Sequence, residues 1–501
     1  MNDPDVPTLG PAEEPVDLTE TLAPGSPPGL SDRVSQLFLG ALAVLLLGYM
    51  FLGRGFAHVG IPPLYVGEVV LALGLFAAAW AIVRLGTRVR PSPIVWLLLA
   101  FMVLGLARTL PYLGQYGVDA LRDAVLWGYG LFALMIYVLA DRRVIAAAMR
   151  GYGWVIPIFA IWLPIAWTIA AELETAIDPT RPGEVVPLVF FKSGDMAVHI
   201  IGSIAYLVFC TGVVVAARAS LWRTLIAVPL IWTALVGATT NRGSFVAAAI
   251  ASVVALIIGR RWRTWMPVLA ATAVAGLIFI LPGTIPGVGQ SPSVAPPTPV
   301  ASVGASARAS PTPAATPSPE PEPEASPGRQ VGIGQLIENI RSIFVPSTDP
   351  GLSGTRAFRI AWWFEIVDYT AFGPYFWDGK GFGVNLATDD GFQPTADESL
   401  RAPHNSHMTA LARMGVPGFL LWAVLQGVFG VGLLRAVRAH RREGDRLLAA
   451  AGAWILVYWV VIMANTSFDP YIEGPQGGIW FWTLFGFGLV VMRLRPQSSA
   501  R

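Results

Sequence analysis

Two of the chain's five histidines, His404 and His407, stand in the stretch LRAPHNSHMTALARMGVPGFLLW at residues 400–422, directly ahead of an apolar run. A histidine that is neutral near pH 7 can take a proton from an attacking hydroxyl, so the pair is a candidate for general-base chemistry. Asp389, Asp390, Asp397 and Glu398 raise a second option, a divalent-metal site, although the spacing follows no standard ligand pattern. A third is a polar collar where a helix enters the bilayer.

Arginines supply the other chemistry. Arg242, in TTNRGSF, occupies a very short hairpin between two apolar runs, where a cationic side chain and the positive end of a helix dipole can together hold an anion. Snorkelling to a lipid phosphate is the alternative. In TRAFRIAWWFEIVDY, Arg356 and Arg359 are three residues apart on one helical face. They can grip phosphate as planar forks, or pair with Glu365, Asp368 or lipid headgroups. Gly379, Gly381 and Gly383 in DGKGFG allow close backbone approach, but without the strand context of a nucleotide-binding fingerprint. Glu68, at the outer end of the second apolar run, is a further polar group that an interfacial position already accounts for.

The elements that must position these groups are membrane helices. The chain is 54% hydrophobic and 13% charged, a composition of polytopic membrane proteins. Runs long enough to span a hydrocarbon core predict an all-α fold of about twelve transmembrane helices, at 34–53, 64–83, 93–107, 124–140, 152–171, 197–217, 222–239, 243–259, 265–282, 408–434, 448–465 and 476–492. With a cytoplasmic N-terminus, the inner segments collect twenty of the thirty-four Lys and Arg, the short outer loops six and one long outer segment seven, with Arg413 inside the tenth span. That asymmetry predicts that both termini are cytoplasmic.

Residues 1–33 read as a disordered cytoplasmic tail, too long and acidic for a signal-peptide n-region, so the first span is expected to be a retained anchor. Spans one to nine occupy 34–283. Residues 284–328, rich in Pro, Ala and Ser, read as a flexible outer spacer without catalytic groups. Residues 329–407 read as an ordered, partly helical outer loop, with VGIGQLIENIRSIFV as an amphipathic helix. Spans ten to twelve follow at 408–493, then a cytoplasmic tail at 494–501. The single cysteine, Cys210, falls inside the sixth span and allows no intramolecular disulfide.

PHNSHMTALARMGVPGF resembles the histidine motif of the O-antigen ligase and polymerase family, TTNRGSFVAA its arginine motif, and RIAWWFEIVDYTAFGPYFWDGKGFG its outer-loop segment ending in Gly-x-Gly. The resemblance covers about residues 34–492, and the Pro/Ala/Ser spacer departs from the pattern. It implies a glycosyltransferase of the cytoplasmic membrane, acting on its outer face in cell-surface polysaccharide biosynthesis. The donor would be an undecaprenyl-pyrophosphate-linked glycan and the acceptor a glycan or lipid hydroxyl, with no nucleic acid and no cofactor. Carried over by motif, His404 is the catalytic histidine, Arg242 the hairpin arginine, and Arg359 or Arg356 the loop arginine that meets pyrophosphate. His407, Asn405, Gly381 and Gly383 are secondary. Arginines in place of a metal, and direct displacement at C1, imply a metal-independent inverting enzyme.

A polymerase joining lipid-linked repeat units needs the same groups as a ligase. A flippase or transporter would show related halves and polar groups near mid-membrane, whereas here the polar residues gather at the outer ends. A structural or assembly protein without catalysis is the third class.

Overall fold

A computed structural model of the chain describes residues 30–61, 64–85, 91–169, 174–177, 185–214, 219–238, 242–259, 265–280, 350–394 and 398–495. The acidic tail up to residue 29, the spacer at 284–328, the expected amphipathic helix at 331–345 and Asp397 lie outside the described residues.

The described chain is an all-α membrane bundle. Its helices are α1 (Leu30–Leu52), α2 (Val66–Leu85), α3 (Pro93–Thr109), α4 (Val125–Leu139), α5 (Arg142–Ile169), α6 (Ser193–Phe209), α7 (Ala219–Ala238), α8 (Arg242–Ile258) and α9 (Met266–Ile280), then α10 (Pro350–Val367), α11 (Ser406–Arg442), α12 (Arg446–Asn465) and α13 (Pro475–Arg493). Eight segments are long and apolar enough to cross a membrane, and four shorter apolar helices, α4, α6, α8 and α9, fill the remaining expected spans. Helix α10 belongs to the segment between α9 and α11. Strand is confined, among the described residues, to two small antiparallel pairs, Gly60–Ile61 with Leu64–Tyr65 and Glu174–Ile177 with Val185–Pro187.

The centre of the bundle is α12 and α13, of which 78% and 83% is buried, against 28% for α1 and α2. Helix α12 packs on α6, α8 and α11, and α13 on α4, α11 and α12. The outer helices leave large apolar residues exposed, as lipid-facing helices do, among them Val44, Val83, Trp96 and Ile161. At the end of the bundle away from the histidines, Arg142 pairs with Asp445, which also caps α12, and Arg493 donates to the carbonyls of Tyr137 and Ala140.

Helix α11 is broken. Gly415 has φ 66° and ψ −172°, and Pro417 follows, so two helical pieces meet at a kink because proline removes one backbone donor and clashes with the preceding turn. Backbone groups freed inside a membrane protein must find partners, and residues 376–381 supply them. Lys380 N donates to Ala412 O at 2.7 Å, Gly381 N to Arg413 O at 3.1 Å, and Val416 N to Phe376 O at 2.8 Å. Gly379, at φ 60°, permits this approach, since a Cβ there would lie 2.4 Å from the Arg413 carbonyl carbon. A second apolar cluster, Trp362, Ile366, Tyr369, Leu386, Leu411 and Ala412, ties α10 to the first piece of α11.

Candidate active site

His404 sits two residues ahead of α11 and is held from several directions. Asn405 caps the helix, its Oδ1 accepting from the backbone N–H of His407 and Met408 at 3.0 and 3.2 Å. Ser406 N donates to Thr466 O at 2.9 Å, and Trp363 Nε1 to Pro403 O at 2.9 Å. Pinned on both sides, His404 adopts φ 53°. That left-handed conformation costs a non-glycine residue roughly 1–2 kcal/mol, and strain of this kind collects at functional sites.

The His404 imidazole is a neutral base in a cationic setting. Its Nδ1 is buried without a hydrogen-bond partner among the described residues. Burial, and then the positive charges of Arg359 and Lys192, push the ring down to about 3, with Asp469 acting in the opposite sense and Arg54 in the same one. The ring is therefore unprotonated at any physiological pH.

The surrounding charges come from parts of the chain far apart. Arg359, on α10, donates through Nη1 to Phe468 O at 3.0 Å. Arg54, just after α1, grips both carboxylate oxygens of Asp195 at 2.5 and 3.2 Å and reaches Asp469 Oδ1 at 3.3 Å. Lys192, at the cap of α6, lies 2.5 Å from Asp469 Oδ2. Burial raises the Asp469 carboxyl, but Lys192 and Arg54 outweigh it and hold the group below its ordinary value, ionised. The segment 466–469, between α12 and α13, thus gives a carbonyl to the His404 helix, a carbonyl to Arg359 and a carboxylate to Lys192 and Arg54.

The remaining sequence candidates are placed differently. Arg356 is exposed, one turn from Arg359, so of the two loop arginines it is Arg359 that faces the 466–469 segment. Arg242 begins α8, and its side chain lies outside the described residues. His407 is held by protein on both ring nitrogens: Nδ1 accepts from Trp422 Nε1 at 3.1 Å, and Nε2 is 3.3 Å from Met463 O. A carbonyl can only accept and an indole N–H only donate, so the tautomer carries its proton on Nε2. Gly381 and Gly383 approach protein: a Cβ would meet the rings of Tyr112 and Tyr116, and Gly383 N donates to Asp123 Oδ2 at 3.1 Å. Asp389 and Asp390 are taken up by Lys380 at 2.6 and 2.5 Å.

Sequence reading missed Arg54, Lys192, Asp195 and Asp469. A signal was present, since Arg54 and Lys192 are basic residues of loops that the arginine distribution predicts to be outer, contrary to the charge rule, as Arg242 is. Also missed was the buried network in which Arg413 and Arg401 share Asp123 at 2.9 and 3.1 Å. Arg413 further donates to the carbonyls of Gly381 and Val384, locking the loop onto α11. Burial also pushes the nearby Glu473 carboxyl up to about 7, opposed by Ser406 and Arg413.

Fold and site together define a multi-pass membrane protein with a strained neutral histidine among clustered cations at one end of its bundle. Residues 226–423, from α7 through the break in α11, match the family model described as O-antigen ligase. The family is one of membrane proteins of cell-surface polysaccharide synthesis, and Arg242, Arg356, Arg359 and His404 all fall within the matched residues. No curated protein matches the chain.

Proposed function

We infer that the protein is a glycosyltransferase of O-antigen ligase type. It moves a glycan from an undecaprenyl-pyrophosphate carrier to an acceptor hydroxyl on the outer face of the cytoplasmic membrane, with both termini in the cytoplasm. The observation that carries the reading is the His404 imidazole, neutral and unpartnered at Nδ1, beside Arg359. The acceptor oxygen attacks C1 of the donor sugar, its proton passes to His404, and the C1–O bond breaks with its electron pair leaving on the diphosphate. Direct displacement inverts C1. Arg359, with Arg242, stabilises the charge developing on the leaving diphosphate, and guanidinium groups meet that need without a metal.

The cations that depress His404 also set the order of events. An anionic diphosphate beside Arg359 and Lys192 offsets their repulsion of an imidazolium, so His404 becomes a stronger base once donor is bound. His407, satisfied on both nitrogens, orients the start of α11 and does not exchange protons with substrate.

The test uses purified protein, an undecaprenyl-pyrophosphate glycan and excess chelator, with transfer followed by mass spectrometry. His404→Ala should lower transfer by about 10²- to 10⁴-fold, the usual loss for a general base, while donor still binds. Undiminished transfer removes His404 as the base, and abolition by chelator that added metal reverses removes the metal-free mechanism.

A further inference from the structure

Arg54 and Lys192 differ in how they are held. Arg54 makes a two-pronged contact with the buried Asp195, and its remaining reach to Asp469 is 3.3 Å, so its guanidinium is fixed in place. Lys192 has one ion-pair partner among the described residues, Asp469, at 2.5 Å, and its side chain is 34% exposed. An ammonium on a flexible four-carbon stem can leave such a contact, and if it does, Asp469 still has Arg54.

We propose that Lys192 is a mobile phosphate-binding residue of the donor site and that the Asp469 carboxylate is its stand-in anion, exchanged for donor diphosphate when substrate enters. The inference rests on the diphosphate-donor reading above and adds a residue from the loop before α6 to it. In the structure Asp469 neutralises Lys192 and keeps the ammonium beside His404. When diphosphate arrives, Lys192 turns to a phosphate oxygen and Asp469 stays on Arg54. Asp469 therefore competes with the ligand for Lys192, and the sign of its mutant's effect separates this role from a structural one.

The experiment measures binding of farnesyl diphosphate, which has the lipid-linked diphosphate but no sugar, to purified full-length protein in zwitterionic-lipid nanodiscs. Lys192→Gln should weaken binding roughly tenfold or more, the scale of a lost charge-assisted hydrogen bond, and Lys192→Arg should restore most of it. Asp469→Asn should tighten binding about two- to fivefold, the scale of a partly exposed ion pair. Weaker or unchanged binding by Asp469→Asn would make Asp469 a structural counter-ion and overturn the exchange. If that variant does not fold, Lys192→Gln decides, and unchanged affinity overturns the proposal. An effect of Lys192→Gln seen only in phosphatidylglycerol nanodiscs would assign Lys192 to lipid headgroups and likewise overturn it. Arg359→Ala is the control: no loss there means the diphosphate reading itself fails, whereas loss there with none in Lys192→Gln sinks only the Lys192 assignment.

Discussion

At the scale of single residues, the central fact is that His404 is a weak base until its surroundings change. Burial and the neighbouring cations hold it near 3, so under the proposed mechanism its titration reports diphosphate binding at the cation cluster. Protonation is disfavoured in the folded state, so from the ordinary histidine value down to about 3 the unfolded chain binds the extra proton and the His404 contribution to stability falls as pH falls. Nuclear magnetic resonance of imidazole-labelled protein should show His404 neutral throughout pH 5 to 8, in the range where a free histidine titrates. Farnesyl diphosphate should move its titration upward, toward that range. A titration indifferent to diphosphate would remove the coupling between donor and base. The histidine itself was legible from PHNSHM, because a lone polar pair ahead of an apolar run is conspicuous. Its cationic company was not, since Arg54 and Asp469 lie 415 positions apart and only the folded bundle joins them.

At the scale of elements, the broken α11 and the glycine loop behind it work as one piece. The sequence announces the break through GVPG, but a span predicted over 408–434 reads equally well as one continuous helix, because glycine and proline are common in membrane helices. What the sequence does not display is the partner, since residues 376–381 precede Gly415 by more than thirty positions and pair with it through backbone groups that carry no side-chain signature. The DGKGFG glycines were read as room for a ligand, and that room is taken by α11 and by Tyr112 and Tyr116. Gly415→Ala should therefore destabilise the protein by roughly 1–3 kcal/mol, since its Cβ would sit 2.4 Å from Phe376 O at φ 66°. Thermal unfolding in detergent measures this directly. Unaltered stability would mean that the loop is not docked on the break.

At the scale of the molecule, the helices were readable because each needs only its own apolar length, and the expected spans coincide with observed apolar helices. Sidedness rests on the arginine distribution. Ala305→Cys should react with a membrane-impermeant maleimide in intact cells and Arg442→Cys should not, with the native Cys210 silent because it is buried. The opposite pattern would reverse the orientation and move the proposed chemistry to the other face. The broken helix bears finally on how the chain is made. Synthesis runs from the N-terminus, so residues 376–381 leave the ribosome before Gly415 does, and the strand of backbone that must pair with the break already exists when α11 enters the membrane. Helices α12 and α13, the most buried of the described spans, follow α11, and the 466–469 segment between them arrives after Arg54, Lys192, Asp195 and Arg359. The site is thus closed by the α12–α13 hairpin, and a nascent chain released before residue 469 carries Arg54 on Asp195 but Lys192 without Asp469.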